Sequence, residues 1–131
     1  MEITTQGYEP IELVTITGRV DSVEAARLAK TLQDAQDHGK YKIVIDMRQL
    51  EYMSSAGFRA LGNAQRNSKR HHRGEVILAQ VPGPIKEALE LIGFNEYFNI
   101  IDTVSAALEY AANLPAGDST TPAQPPLPET E

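Results

Sequence analysis

The stretch Tyr41–Leu61, YKIVIDMRQLEYMSSAGFRAL, decides how the rest of the chain is read. Its Lys42-Ile43-Val44-Ile45-Asp46 segment is a short β-branched run without polar alternation, the pattern of a central strand covered on both faces. A connecting loop is expected next, and Ser54-Ser55 then stand where a helix begins. In that helix Gly57, Ala60, Leu61 and Ala64 recur at helical spacing, and a stripe of Phe58, Leu61 and Gln65 fits as well, so the pattern leaves the rotation open. The helix is expected to end in Lys69-Arg70-His71-His72-Arg73-Gly74, where cations complement the negative helix end and glycine stops it.

Working outward, Met1–Gln6 and Ile11–Thr17 are β-prone runs separated by the turn residues Gly7-Tyr8-Glu9-Pro10, which predicts an opening hairpin. Leu13 shares a face with Ile11, and Val14 with Ile16, so both faces of the second strand are expected to be partly covered. Asp21 precedes Glu24 by three residues, the spacing of a helix cap with its reciprocal acid. Ala25, Leu28, Leu32 and Ala35 mark the buried stripe of the following helix, which Gly39 ends. Beyond the central helix, Glu75–Val81 has strand length, and Pro82-Gly83-Pro84 opens a helix with Ile85, Ala88, Leu89 and Ile92 on one face and Gly93 as its stop. Tyr97–Ile101 is a candidate edge strand, and Asp102 or Thr103 starts a last helix carrying Val104, Ala107, Leu108 and Ala111. Strands alternating with helices after a hairpin predict an α/β fold whose sheet is mostly parallel.

With 131 residues the chain suits one domain with a single core. Five of its 8 prolines fall in the last seventeen residues, where Leu127 is the last large apolar side chain, and that composition predicts a disordered tail over 114–131. The tail carries Asp118, Glu129 and Glu131 and no base, so the net charge of -6 divides into -3 for tail and -3 for body. An acidic body argues against direct nucleic-acid binding, which needs a basic footprint. The absence of cysteine excludes disulfides, thiolate catalysis and cysteine-bound metals. MEITTQ lacks the features of a secretory signal, and no apolar run approaches the ~20 residues that span a bilayer, so a soluble cytoplasmic protein without membrane insertion is expected.

Ser54 and Ser55 admit two compatible readings. One of them caps the helix through its hydroxyl oxygen, or one is a phosphoacceptor whose phosphate meets the free amides and positive end of the helix. A Ser-His dyad on this helix is excluded, because along an unbroken helix Ser55 and His71 are separated by about 24 Å; the sequence does not place His38, and GxSxG does not occur. His71-His72 diverge as adjacent helical residues and no third ligand is evident, so no metal site is expected. The basic run Arg66–Arg73 is explained by a helix terminus. Asp46 has no acidic partner before it to hold magnesium and is expected to organise the loop. Without a glycine-rich phosphate loop no nucleotide or other cofactor is predicted, and the chain is not expected to be an enzyme.

From Ile45-Asp46-Met47 through Tyr52-Met53-Ser54-Ser55-Ala56-Gly57-Phe58 the chain resembles the STAS family, the sulfate-transporter and anti-sigma-factor-antagonist domains. Thr17-Gly18-Arg19-Val20-Asp21 is similar to that family's second-strand exit, and Pro84–Ala107, with ALELIGF and the adjoining TVSAAL, to its closing region. The resemblance covers roughly residues 1–113 and excludes the tail. It implies a mixed sheet with helices mainly on one side, and for free-standing members a partner switch. The unphosphorylated antagonist binds an anti-sigma serine kinase, phosphorylation releases it, and a PP2C-type phosphatase resets it. Ser55 is the implied phosphoacceptor, with Ser54 as second choice, and Ser54 stands where many antagonists have aspartate. The expected docking surface comprises Asp21, Ser54, Ser55, Ala56, Gly57, Phe58 and Arg59. An adaptor subunit of a membrane transporter, acting without phosphorylation, is the alternative role.

Overall fold

The opening hairpin forms, and it is longer than the sequence pattern suggests. A computed structural model of the chain describes residues 1–71 and 74–115; the expectations placed on His72, Arg73 and residues 116–131 lie outside these. Strand β1 is Glu2–Tyr8 and β2 is Ile11–Val20, so Gly7 and Tyr8 belong to the strand and only Glu9-Pro10 turn, with a cis bond between them. They are followed by α1 (Ser22–Asp37), β3 (Lys42–Asp46), β4 (Leu50–Met53), α2 (Ser55–Arg70), β5 (Glu75–Ala79), α3 (Gly83–Leu91), a 3-10 turn (Phe94–Glu96), β6 (Asn99–Ile101) and α4 (Val104–Ala112).

The sheet order is β1-β2-β3-β5-β6, with β4 joined to β2 alone. The β1–β2 pair is antiparallel and all other pairs are parallel. Strand β2 serves three neighbours: β1 beside Ile11–Thr17, β3 beside Ile11–Thr15 and β4 beside Gly18–Val20. Parallel strands turn their carboxyl ends to one rim, so every helix starts there and returns to the other rim.

Period-2 alternation sorts the strand residues between two cores. Val14, Ile16, Ile43, Ile45, Val76 and Leu78 pack with α1, α2 and α3. Ile11, Val44, Ile77 and Ala79 pack under Ala107 and Ala111 of α4 on the opposite face. Three helices on one side and one on the other explain why the central strands show no polar face.

The two rotations considered for α2 are both satisfied, because the helix is buried over a wide arc that includes Gly57, Phe58, Ala60, Leu61, Ala64 and Gln65. Gln65 is fully buried: its Nε2 donates to the Tyr97 carbonyl at 2.9 Å, and its Oε1 accepts from the Val76 amide at 2.7 Å. Buried Gln36 donates to the Ala64 carbonyl and the Ser68 hydroxyl, both at 2.9 Å, and so locks α1 beside α2 in the same direction. Ile92, expected on the buried face of α3, is half exposed, because the helix ends at Leu91 and left-handed Gly93 redirects the chain.

Candidate functional site

Two helix starts lie side by side at the carboxyl-end rim. Strand β4 makes this possible: the segment expected to be a loop pairs with the far end of β2, setting Gly18 beside Leu50, Arg19 beside Tyr52 and Val20 beside Met53. Gly18, at φ +94, takes the left-handed turn at the register shift, and its amide donates to the Gln49 carbonyl at 3.0 Å. The Ser54 amide donates to the Val20 carbonyl at 2.8 Å, which ties the residue before α2 to the residue before the α1 cap. Asp46 organises the turn into β4, as expected, accepting from the Arg48 amide at 3.0 Å.

Each helix has its own cap. Asp21 accepts from the Glu24 amide at 2.9 Å, as its spacing predicts. Ser54 caps α2, its Oγ accepting from the Gly57 amide at 3.3 Å, and it is only 8% exposed. This leaves Ser55 as the first helical residue, with an exposed side chain. The cap, which the sequence offered to either serine, thus falls to Ser54.

Gly57 explains how closely the helix start approaches the strands. A Cβ there would lie 2.5 Å from Met53 Cγ and 3.2 Å from Val20 Cγ1, so a larger residue would push the rim apart. Of the remaining expected docking residues, Ala56 is half-buried, Arg59 is exposed and Phe58 belongs to the core at 7% exposure. The expectation that Phe58 offers a contact surface is corrected by its inward position, while Asp21, Ser55 and Arg59 face solvent. Sequence reading missed the neighbouring pair Arg19–Tyr52, in which the guanidinium lies 4.5 Å from the ring centroid. No local signal could have found it, because the residues meet only through β2–β4 pairing.

The start of α2 has hydrogen-bond donors and no acid of its own. The first turn of α2 holds no acid, its last turn holds Lys69 and Arg70, and the amides of Ser55 and Ala56 have no carbonyl one turn back. His38 and His71 both sit at the opposite ends of their helices, where their Nδ1 atoms lie 2.7 and 2.8 Å from the Asp34 and Asn67 carbonyls. Neither can act as a base for Ser55. Among the described residues no group of three His, Asp or Glu side chains could hold a metal, and no helix is long and apolar enough to cross a membrane.

The STAS domain family model matches residues 2–107. A protein of Bordetella bronchiseptica designated an anti-sigma factor antagonist, BtrV, is 28% identical over 107 residues, which span 82% of this chain and 91% of that protein. An anti-sigma factor antagonist from Mycobacterium paratuberculosis superposes with a TM-score of 0.76 at 19% identity, over 86% of this chain and 94% of that one. The anti-sigma factor antagonist SpoIIAA in its unphosphorylated form gives 0.71 at 15% identity, over 86% and 100%. Its phosphorylated form, from Bacillus, gives 0.69 at 14%, over 83% and 98%. At these identities the superpositions establish the fold. With the family match spanning most of the sequence and that fold built around two adjoining helix starts, the chain belongs to the STAS domain family.

Proposed function

We propose that the chain is an anti-sigma factor antagonist whose domain spans residues 1–113 and whose binding to an anti-sigma serine kinase is switched by phosphate on Ser55. The observation that carries the reading is the division of labour at α2: Ser54 is committed to the cap, and Ser55 presents its hydroxyl to solvent at a helix start without acidic residues. In the transfer, Ser55 Oγ forms a bond to the γ-phosphorus of ATP as the bond to ADP breaks, and the hydroxyl proton passes to a base on the kinase. The product adds about 1.5 to 2 negative charges, which the amides of the first turn receive without unfolding the helix.

Release then follows from the docking surface, not from refolding. A surface containing Asp21, Ser55, Ala56 and Arg59 is cheap to bury while Ser55 is neutral. Once phosphorylated, it places a dianion beside the carboxylate of Asp21, and burying both without new cations is costly. A PP2C-type phosphatase restores the hydroxyl. Co-purification from the native cells, followed by binding of the recovered kinase to Ser55→Ala and Ser55→Asp chains, tests this. Binding retained by the Ala chain and lost by the Asp chain is the expected result; equal binding by both would sink the switch.

A further inference from the structure

Two adjacent exposed apolar residues at the end of α3 have no role in that reading. Leu91 is 87% exposed and Ile92 50%, and they adjoin a groove of about 420 Å³ between α2 and the turn after α3. Its floor is Gly62 with the half-buried rings of Phe94 and Tyr97, whose centroids are 5.7 Å apart. Its rim carries Arg59 and Arg66. Among the described residues neither arginine is in an ion pair; Arg66 reaches only the Asn63 side chain, at 3.3 Å. The groove beside α1 and β1 differs in this respect, since Lys40 pairs with Glu9 and Glu12, Arg27 with Glu24 and Lys30 with Asp34. Aromatic floors with a charged rim are how proline-rich segments are recognised, because a polyproline helix is extended before it binds.

We propose that this groove is occupied by the chain's own C-terminal segment Pro125-Pro126-Leu127-Pro128-Glu129, with Leu127 and the flanking prolines against Phe94 and Tyr97 and the following acids facing Arg59 and Arg66. The charges are complementary: the tail holds Asp118, Glu129 and Glu131 and no base. The reach is sufficient. The Leu114 carbonyl accepts from Lys42 Nζ at 3.4 Å, so the chain leaves α4 at the amino-end rim, the rim on which Tyr97 also lies just before β6. The twelve residue-to-residue steps from Pro115 to Leu127 extend about 37 Å at ~3.1 Å each, against a radius of gyration of roughly 13 Å for a domain of this size. Tethering also makes a weak contact effective, since a local concentration on the order of 1 mM half-occupies a site whose Kd is about 1 mM. The inference is independent of the fate of Ser55.

The cysteine-free sequence permits a direct test. In the full chain carrying Ala123→Cys with a nitroxide label, the amide signals of Gly62, Asn63, Gly93 and Phe94 are expected to lose about half their intensity or more, as half-occupancy requires. Thr5, on edge strand β1 at the opposite edge of the sheet from β6, should lose far less. Adding Leu127→Asp, or separately Arg66→Glu, should restore the groove signals. Uniform broadening, broadening centred elsewhere, or groove broadening indifferent to both substitutions would overturn the proposal. So would broadening seen only when labelled and isotope-enriched chains are mixed, which would assign the groove to a second copy's tail.

Discussion

The two rims of the sheet handle polar groups in opposite ways. At the amino-end rim they are closed on one another. Buried Glu75 accepts from Asn99 at 2.6 Å and from Tyr110 at 2.9 Å, Lys42 donates to the end of α4, and Lys40 joins Glu9 and Glu12 at 3.0 and 3.2 Å. At the carboxyl-end rim Asp21 and Ser54 satisfy one amide each, and in the first turn of α2 Ser55 is exposed and Ala56 half-buried while Gly57 and Phe58 pack inward. Both rims are polar, but one closes its polar groups on one another and the other leaves Asp21, Ser55 and Arg59 exposed, the surface proposed above for a partner. Substitutions at the two rims should therefore separate cleanly into effects on folding and effects on binding.

The largest expected effect is on binding alone. Ser55→Asp should weaken kinase affinity by about 100-fold or more, near 3 kcal/mol, because a charge is desolvated at the interface. Its urea midpoint should match that of the unsubstituted chain; a large shift would show that Ser55 is structural. At the other rim, Glu75→Ala should cost roughly 2–3 kcal/mol in chemical denaturation by removing two charge-assisted hydrogen bonds, while leaving kinase affinity intact. Loss of affinity there would break the separation. Gly57→Ala should disturb both properties, destabilising by about 1–3 kcal/mol as Met53 and Val20 are displaced, and a crystal structure would show α2 moved off β4.

Smaller effects sharpen the contrast between the two serines. Ser54→Ala should cost about 1 kcal/mol of stability through loss of the cap, whereas Ser55→Ala should be close to neutral in the same thermal melts. Equal costs would contradict the assignment of the cap to Ser54. The smallest effect is a pH dependence confined to the closed rim. The hydrogen bond to Glu9 is the main cause that raises Lys40 above its ordinary 10.5, and burial, with the hydrogen bond to Glu75, raises Tyr110 above 10.0. Both folded values exceed the unfolded ones, so both contributions are present below about pH 10 and are lost as pH rises through the folded values. Denaturation midpoints should fall above pH 10, and a Lys40→Met, Tyr110→Phe chain should show a shallower fall.

Much of this architecture was legible in local sequence. The unalternating 42–46 run announced a strand covered on both sides, Asp21 with Glu24 announced a cap, and the serine pair announced a helix start. Each rests on interactions within a few residues, which sequence spacing encodes. The resemblance of residues 45–58 to the STAS family was carried by such local features too. What the chain could not announce locally was strand β4: LEYM has two exposed positions out of four and becomes a strand only because Gly18 lets β2 continue past β3. That nonlocal pairing also determines the meeting of Arg19 with Tyr52 and the junction of the two helix starts.

The hydrogen bonds that satisfy buried Gln36 and Gln65 likewise depend on partners at least eleven residues away, although the Phe58, Leu61 and Gln65 stripe allowed for the second of them. The sequence by itself determined the order of the four helices and of the strands other than β4, and the presence of two hydroxyls at one helix start, because caps and hydrophobic periods are short-range. Only the tertiary structure decided which hydroxyl is taken by the cap, that Phe58 turns inward and that α4 covers the second face. Those outcomes depend on how strands far apart in sequence are brought into register.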